Sequence, residues 1–310
     1  MQKIVVIGGG TGSYTVLRGL KRYNIGLTAV VSMMDSGGST GKLRDEFGFL
    51  PPGDVRRCLI ALSPETSGLR KLFEYRFSKG AGLNGHSLGN LFLTALRDIT
   101  GKEEEAIQEA ARILNIKGRV LPVTTTNCQV GAILENGQVV VGETNIDIPR
   151  HDPQLRVKKL LLVPKPKAYK ETVKAIMETD KIVLGPGDIY SSVIPNLLVS
   201  GIASAIKRSK AKKIYICNIM TKHGETTGFK ASDFVHEVEK YLGKEVIDYV
   251  ICNNTKPSEK LLKEYEKENA EFVEPDLSNK KLKVIKTNLL DNIYLARHNP
   301  DKLAKAIMSI

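Results

Sequence analysis

With 310 residues, 42% of them hydrophobic and 26% charged, the chain can bury a substantial core and is too apolar to be disordered. Lys plus Arg number 46 against 34 Asp plus Glu, a net charge of +12, yet the two signs are interleaved along the chain. That pattern reads as a solvated surface with some preference for phosphate, and argues against a nucleic-acid partner. No apolar run approaches the roughly 18 residues of a membrane span, so no membrane partner is expected. The first residues enter a strand-like run at once, without a basic-then-apolar leader, and the expected location is the cytoplasm. Cys58, Cys128, Cys217 and Cys252 lie far apart, as reduced core residues do rather than a disulfide set or zinc site.

In chain order, residues 4–7 read as a buried strand, followed by a glycine loop, an amphipathic stretch at 13–23 and a second strand at 27–32. Helical periodicity then covers 54–62, 69–77, 87–99 and 103–114, the last opened by a capping box of Thr100 and Glu103. The period changes at 119–123, 129–134 and 138–142, which read as strands. Asn136-Gly137 between the last two signals a type I′ hairpin. Residues 155–163 form another strand. Strand and helix then alternate: a helix at 169–178, strand 182–184, helix 189–206, strand 213–217, helix 232–242, strand 247–252, helix 259–268 and a last helix near 300–308. This alternation predicts an α/β fold, a doubly wound, Rossmann-like and mostly parallel sheet. We expect a single domain over 1–310, with a helical segment at about 54–115 and an antiparallel β-hairpin insertion at about 119–163.

Chemistry concentrates at glycine junctions. Gly8, Gly9, Gly10, Thr11 and Gly12 join the first strand to the first helix, where bare backbone and a helix N-terminus suit a phosphate. Ser13 occupies the third glycine position of the dinucleotide fingerprint, which weakens an NAD-dependent oxidoreductase reading. Asp35, Ser36, Gly37 and Gly38 follow the second strand as a flexible anion-binding loop. Asp35 stands where a ribose-binding carboxylate belongs, and can equally hold a divalent cation. Asp54 precedes Arg56 and Arg57 at a helix start, as an N-cap or as a metal ligand beside guanidinium groups. Gly85-His86-Ser87-Leu88-Gly89-Asn90 opens another helix without a preceding strand, which departs from the nucleophile elbow of the hydrolases. Gly185, Pro186 and Gly187 form a second strand–glycine–helix junction with Ser192 beyond it. Asn218 ends a further strand on the same sheet edge.

Taken together and in this order, these motifs, with Pro195-Asn196-Leu197-Leu198, resemble the bacterial gluconeogenesis-factor family within the 2-phospho-L-lactate transferase-like superfamily. The resemblance covers nearly the whole chain. It implies a Rossmann-like core, a cytoplasmic location, and a role in growth and cell shape on gluconeogenic carbon sources. It also implies binding of uridine diphosphate sugars, notably the N-acetylglucosamine conjugate. In the transferase branch a divalent cation is held by aspartates that match Asp35 and Asp54, which makes Mg²⁺ the candidate cofactor. That branch also shares a pattern resembling Pro186, Ser192 and Pro195, but its deazaflavin-substrate features are missing here.

The leading expectation is a regulatory nucleotide-sugar-binding protein without turnover, since no nucleophile and base are legible as a pair. The glycine loop would take the diphosphate, Asp35 the ribose or a cation, and the Gly185–Ser192 segment the sugar side. A homo-oligomer and a protein receiving the regulatory signal are compatible with this reading. The alternative is a Mg²⁺-dependent transferase moving a phosphorylated group from a nucleotide diphosphate donor.

Overall fold

β-branched apolar runs build one seven-stranded sheet, in a computed structural model describing residues 1–148, 151–278, 281–291 and 295–310. The first half runs β1 (Lys3–Gly8), α1 (Gly10–Leu20), β2 (Gly26–Val31), α2 (Gly38–Phe47), α3 (Gly53–Leu62), α4 (Gly68–Glu74), α5 (Leu88–Thr100), α6 (Glu103–Ile113) and β3 (Arg119–Pro122). An antiparallel layer follows, of β4 (Gln129–Leu134), β5 (Val139–Val141), α7 (Glu143–Asp147) and β6 (Val157–Val163). The second half runs α8 (Lys170–Met177), β7 (Lys181–Leu184), α9 (Ile194–Leu198), α10 (Ile202–Arg208), β8 (Lys212–Ile216), α11 (Ala231–Leu242), β9 (Tyr249–Asn253), α12 (Glu259–Lys267) and β10 (Lys283–Thr287). A two-stranded ribbon, β11 (Leu290–Asp291) and β12 (Arg297–His298), and α13 (Pro300–Met308) complete the chain.

The sheet order is β10-β9-β8-β7-β1-β2-β3, and every pairing in it is parallel. Chain order reverses between β1 and β7, so the loops leaving those strands diverge to opposite faces and leave a crevice at their carboxyl ends. The buried pattern of α1 (Ser13, Val16, Leu17 and Leu20) follows the three-and-four spacing of a helix packed on a sheet by one face. Such packing, with Ile4, Val6, Leu59 and Ile182 fully enclosed, fixes the strand ends that carry the site. Among the described residues no helix is long and apolar enough to cross a membrane.

The doubly wound sheet and the antiparallel layer expected from sequence are both present. Several details differ. The 119–123 strand belongs to the main sheet, paired in parallel with β2, and the antiparallel sheet is β5-β4-β6. The Asn136-Gly137 turn is not type I′. The Gly137 N–H bonds Leu134 O and Leu134 N–H bonds Gln138 O, with positive φ at Gly137, the pattern of a three-residue loop with a bulge. The Thr100–Glu103 capping box does not form, because Lys102 is the N-cap of α6 and Thr100 Oγ1 turns back to Leu96 O. Helix 189–206 is broken. Pro195 lacks the N–H an α-helix needs there, and a π turn at Ile189–Val193 precedes α9. Sequence reasoning missed β10, whose exposed Lys283 and Lys286 flank only two apolar residues.

Candidate functional site

The glycine loop ends β1 and opens α1 directly into the switch-point crevice. Gly10 has a φ of +60°, and a Cβ there would meet only Arg57 Nη1 at 3.5 Å, Asp54 Oδ1 at 4.0 Å and Ser192 Oγ at 4.0 Å. It therefore borders a small polar cradle between the two glycine junctions. Gly12 is different: its Cβ would lie 1.8 Å from the Pro186 carbonyl oxygen, so its bare backbone serves the packing of one junction on the other. A cleft of about 600 Å³ opens over the loop. It is lined by the N-termini of α1, α2 and α3 and by Arg57, Arg76 and Arg297. Free N–H groups, helix dipoles and guanidinium groups converging on one volume favour an anion of high charge density.

Carboxylates face these cations. Asp54 is not the N-cap of α3; that position is Pro52, and Asp54 lies in the first turn, 8% exposed, under Gly9. Burial, then the charge of Asp35, pushes its carboxyl up to about 7, while Arg57 and a bond from the Gly10 N–H act the other way. Asp35 accepts the Gly37 N–H at 2.9 Å, and its other oxygen lies over Gly53, the residue before Asp54. Glu143, from the start of α7, is pushed up to about 7 by burial and then by Asp35. The residues after Gly37 form α2 rather than a flexible loop; its two glycines hide the helix from propensity reasoning.

Because Asp54 and Glu143 bind protons in the folded state that they release when unfolded, stability should fall as pH rises through 7. Buried His298, lowered to about 4, pulls the opposite way, but only below its unfolded value near 6.5. We therefore expect urea unfolding without ligand to show lower stability at pH 8.5 than at pH 6.5. Asp54→Asn should remove about 0.8 kcal/mol of that difference. An unchanged profile in the variant would show that Asp54 is ionised throughout.

A buried polar chain forms one wall of the cleft. Arg56 Nε bonds Asn90 Oδ1 at 2.9 Å, and Asn90 Nδ2 bonds Ser39 Oγ at 3.2 Å and Thr40 Oγ1 at 3.4 Å. Ser39 Oγ is in turn 3.0 Å from His86 Nδ1. Burial and the neighbouring Arg57 lower Arg56 to about 10, and Gly89 packs on its stem, so it ties α3 to α5.

Of the residues singled out from sequence, Gly9, Gly10, Thr11, Gly12, Asp35, Gly37, Gly38, Asp54, Asn90, Gly187 and Ser192 meet in this cleft. Gly8, Ser36 and Gly185 do not line it. Gly8 is the last residue of β1, the Ser36 hydroxyl is 3.1 Å from Thr144 Oγ1, and Gly185 faces the Ile216 carbonyl. Pro186 and Asn218 line a neighbouring, more apolar cavity of about 500 Å³. Thr11, Gly12, Gly187 and Arg297 border both cavities.

Sequence reasoning missed Arg76, Arg297, Glu143 and Asp147; it placed Asp188 in the second glycine junction and the 221–228 stretch among the binding loops, but not the charged node they form between the two cavities. There Lys222 Nζ lies 3.2 Å from both Asp188 Oδ2 and Glu225 Oε1 and contacts Asp147. Burial opposes the ammonium charge, but Glu225, Asp188 and Asp147 more than offset it and hold Lys222 above its ordinary value. Burial pushes Glu225 up to about 8 and Asp188 upward. Asp147, Asp188 and Glu225 form the carboxylate trio near enough to share an ion, and the ammonium sits among them. A larger groove of about 860 Å³ lies at the opposite edge, over the strand starts at Lys212, Tyr249 and Lys283.

The fold and site together define a doubly wound α/β protein with an arginine- and aspartate-lined cleft at its switch point. The chain belongs to the 2-phospho-L-lactate transferase CofD family, whose model matches residues 4–290, and within it to the gluconeogenesis-factor group. The gluconeogenesis factor of Halalkalibacterium halodurans is 41% identical over 99% of this chain and 96% of its own. That of Bacillus subtilis is 39% identical over 99% and 98%. A crystal structure of a UPF0052-family protein from Bacillus halodurans has a TM-score of 0.93 at 40% identity, covering 99% of this chain and 98% of that one.

Proposed function

We propose that the chain is a cytoplasmic gluconeogenesis factor that binds a uridine diphosphate sugar in the switch-point cleft and so regulates growth and cell shape on gluconeogenic carbon. The observation that carries this reading is the Gly10 cradle, where Arg57, Ser192 and the Asp54 carboxyl border one small volume at the α1 N-terminus. In this reading the diphosphate lies there, and Gly187 and Ser192 approach the sugar side. The adjoining cavity, with Pro186 and Asn218, adds room along the same ligand. The uridine and N-acetylglucosamine parts rest on the family resemblance. Asp35 and Asp54 would hold Mg²⁺: they are hard oxygen donors, Asp35 Oδ2 lies over Gly53, the residue before Asp54, and burial with the neighbouring Asp35 outweighs Arg57 and Arg56 at the Asp54 carboxyl. The ion would neutralise diphosphate charge.

Calorimetry with a panel of uridine nucleotides tests the reading, and absence of binding at millimolar ligand would remove it. Gly10→Ala refines it. An Ala at positive φ costs about 1–3 kcal/mol, which a folded domain survives. Its Cβ would occupy the cradle, so affinity should drop at least about tenfold, roughly 1.4 kcal/mol. Melts with and without ligand report this as a reduced ligand-induced shift. A normal shift would mean that the loop is only a turn.

The Asp35–Asp54 pair and the family's transferase description favour a second reading, a Mg²⁺-dependent transferase releasing nucleoside monophosphate. Release lost on Asp54→Asn would support it, and no release from any donor would favour the binding protein.

A further inference from the structure

Ser39 is the second residue of α2, borders the cleft, and is 6% exposed. Its oxygen is bracketed by two side chains from the far side of the helical segment, Asn90 at 3.2 Å and His86 at 3.0 Å. The Asn90 amide, fixed by Arg56 Nε on its carbonyl, can only donate to that oxygen. The Ser39 hydroxyl donates to His86 Nδ1 in the tautomer that carries the ring proton at Nε2. One Ser39 lone pair is left for another partner. A hydroxyl within hydrogen-bond reach of an imidazole is the nucleophile–base half of an activated nucleophile, and here Asn90 fixes the hydroxyl rather than the base. It stands at a helix N-terminus, where developing negative charge is stabilised, and Asn90 also reaches Thr40 Oγ1, which lies with Asp35 over Gly53.

We propose that Ser39, with His86 as its base, attacks the β-phosphorus of a nucleoside diphosphate sugar bound in the cleft and hydrolyses it slowly. The inference rests on the nucleotide-sugar reading of that cleft and adds an activity to it. In the first step an Oγ–P bond forms and the bond from the β-phosphorus to the bridging oxygen breaks. The nucleoside monophosphate leaves with that electron pair, and the Ser39 proton passes to His86 Nδ1. In the second step water attacks the same phosphorus and the Oγ–P bond breaks. His86 returns its proton to Ser39, while the protons of the water pass to the sugar phosphate and solvent. The net reaction consumes one water and gives nucleoside monophosphate and sugar phosphate. A regulatory protein with this property clears its own ligand.

The test incubates the full-length chain with UDP-N-acetylglucosamine and Mg²⁺, follows UMP by chromatography, and looks for a phospho-sugar adduct on Ser39 by intact mass. Binding is measured in parallel by calorimetry. Wild type should release UMP, and Ser39→Ala should lose at least about 100-fold in rate while retaining binding within about threefold. His86→Gln should lose a comparable factor. Ser39→Ala takes the hydroxyl from His86 while Asn90 keeps Arg56 and Thr40, so a cooperative ligand-free melt of the variant shows that a lost rate is not lost folding, and His86→Gln tests the pair independently. Wild type that binds the ligand but forms neither UMP nor adduct overturns the nucleophile and leaves the binding reading standing. So does a Ser39→Ala rate equal to wild type. Failure of wild type to bind at all overturns both.

Discussion

Gly12→Ala should abolish or severely reduce soluble, folded protein, in contrast to Gly10→Ala two residues earlier. The added Cβ would sit 1.8 Å from the Pro186 oxygen, 2.6 Å from its carbonyl carbon and 3.2 Å from Gly187 N. All three are backbone atoms, and none can turn aside as a side chain can. The loop that carries them leaves β7, which is locked to β1 by the register from Ile4 opposite Lys181 to Ile7 opposite Leu184. Relief would need the switch-point strands to separate or α1 to lift from a sheet on which Val16, Leu17 and Leu20 are fully buried. Overpacking of this kind costs about 3 kcal/mol or more, a large part of a typical domain's stability. Urea unfolding would register it as a fall in midpoint at constant slope. A Gly12→Ala protein as stable as wild type would mean that the two glycine junctions are not packed on one another.

Lys222→Met should be comparably damaging, for an electrostatic reason. Met keeps the apolar stem of the side chain but removes the ammonium that Asp147, Asp188 and Glu225 share. The Glu225 side chain is 1% exposed, so its charge would have neither water nor a counter-ion. Breaking a fully buried pair costs about 3–5 kcal/mol; with Lys222 33% and Asp188 40% exposed, solvent screening brings the cost to the lower end of that range or below. The carboxylates can escape part of that by taking up protons, and Glu225, already pushed up to about 8, would do so first. The loss should therefore be largest above pH 8 and smaller near pH 6. Paired denaturation curves at the two pH values check the sign. A loss that grows on acidification would contradict the arrangement around Lys222.

The sequence disclosed the site's backbone better than its charges. Glycine loops after apolar strands signal where phosphate can approach, because the strand, the bare turn and the helix start are all local. Asp35 and Asp54 were legible for the same reason, each lying a few residues from such a junction. Arg76, Arg297 and Glu143 were not, since each comes from a segment with no strand–glycine signal and reaches the cleft only through tertiary packing. His86 and Ser39 are 47 positions apart, so their contact follows from α5 packing near α2, and no local pattern announces it. The π turn before α9 could have been anticipated, since Pro195 cannot supply an interior helical hydrogen bond. The missing capping box at Thr100 shows the reverse, a plausible motif defeated when Glu103 pairs with Arg97 at 3.5 Å.

The most direct test of the account is a crystal structure of the protein with UDP-N-acetylglucosamine and Mg²⁺. The diphosphate should lie against Gly10, within hydrogen-bond reach of Arg57 and Ser192, with the cation at Asp35 and Asp54. Diphosphate density in the lysine-lined groove at the strand starts, around Lys212 and Lys283, with the glycine cradle left to solvent, would contradict it.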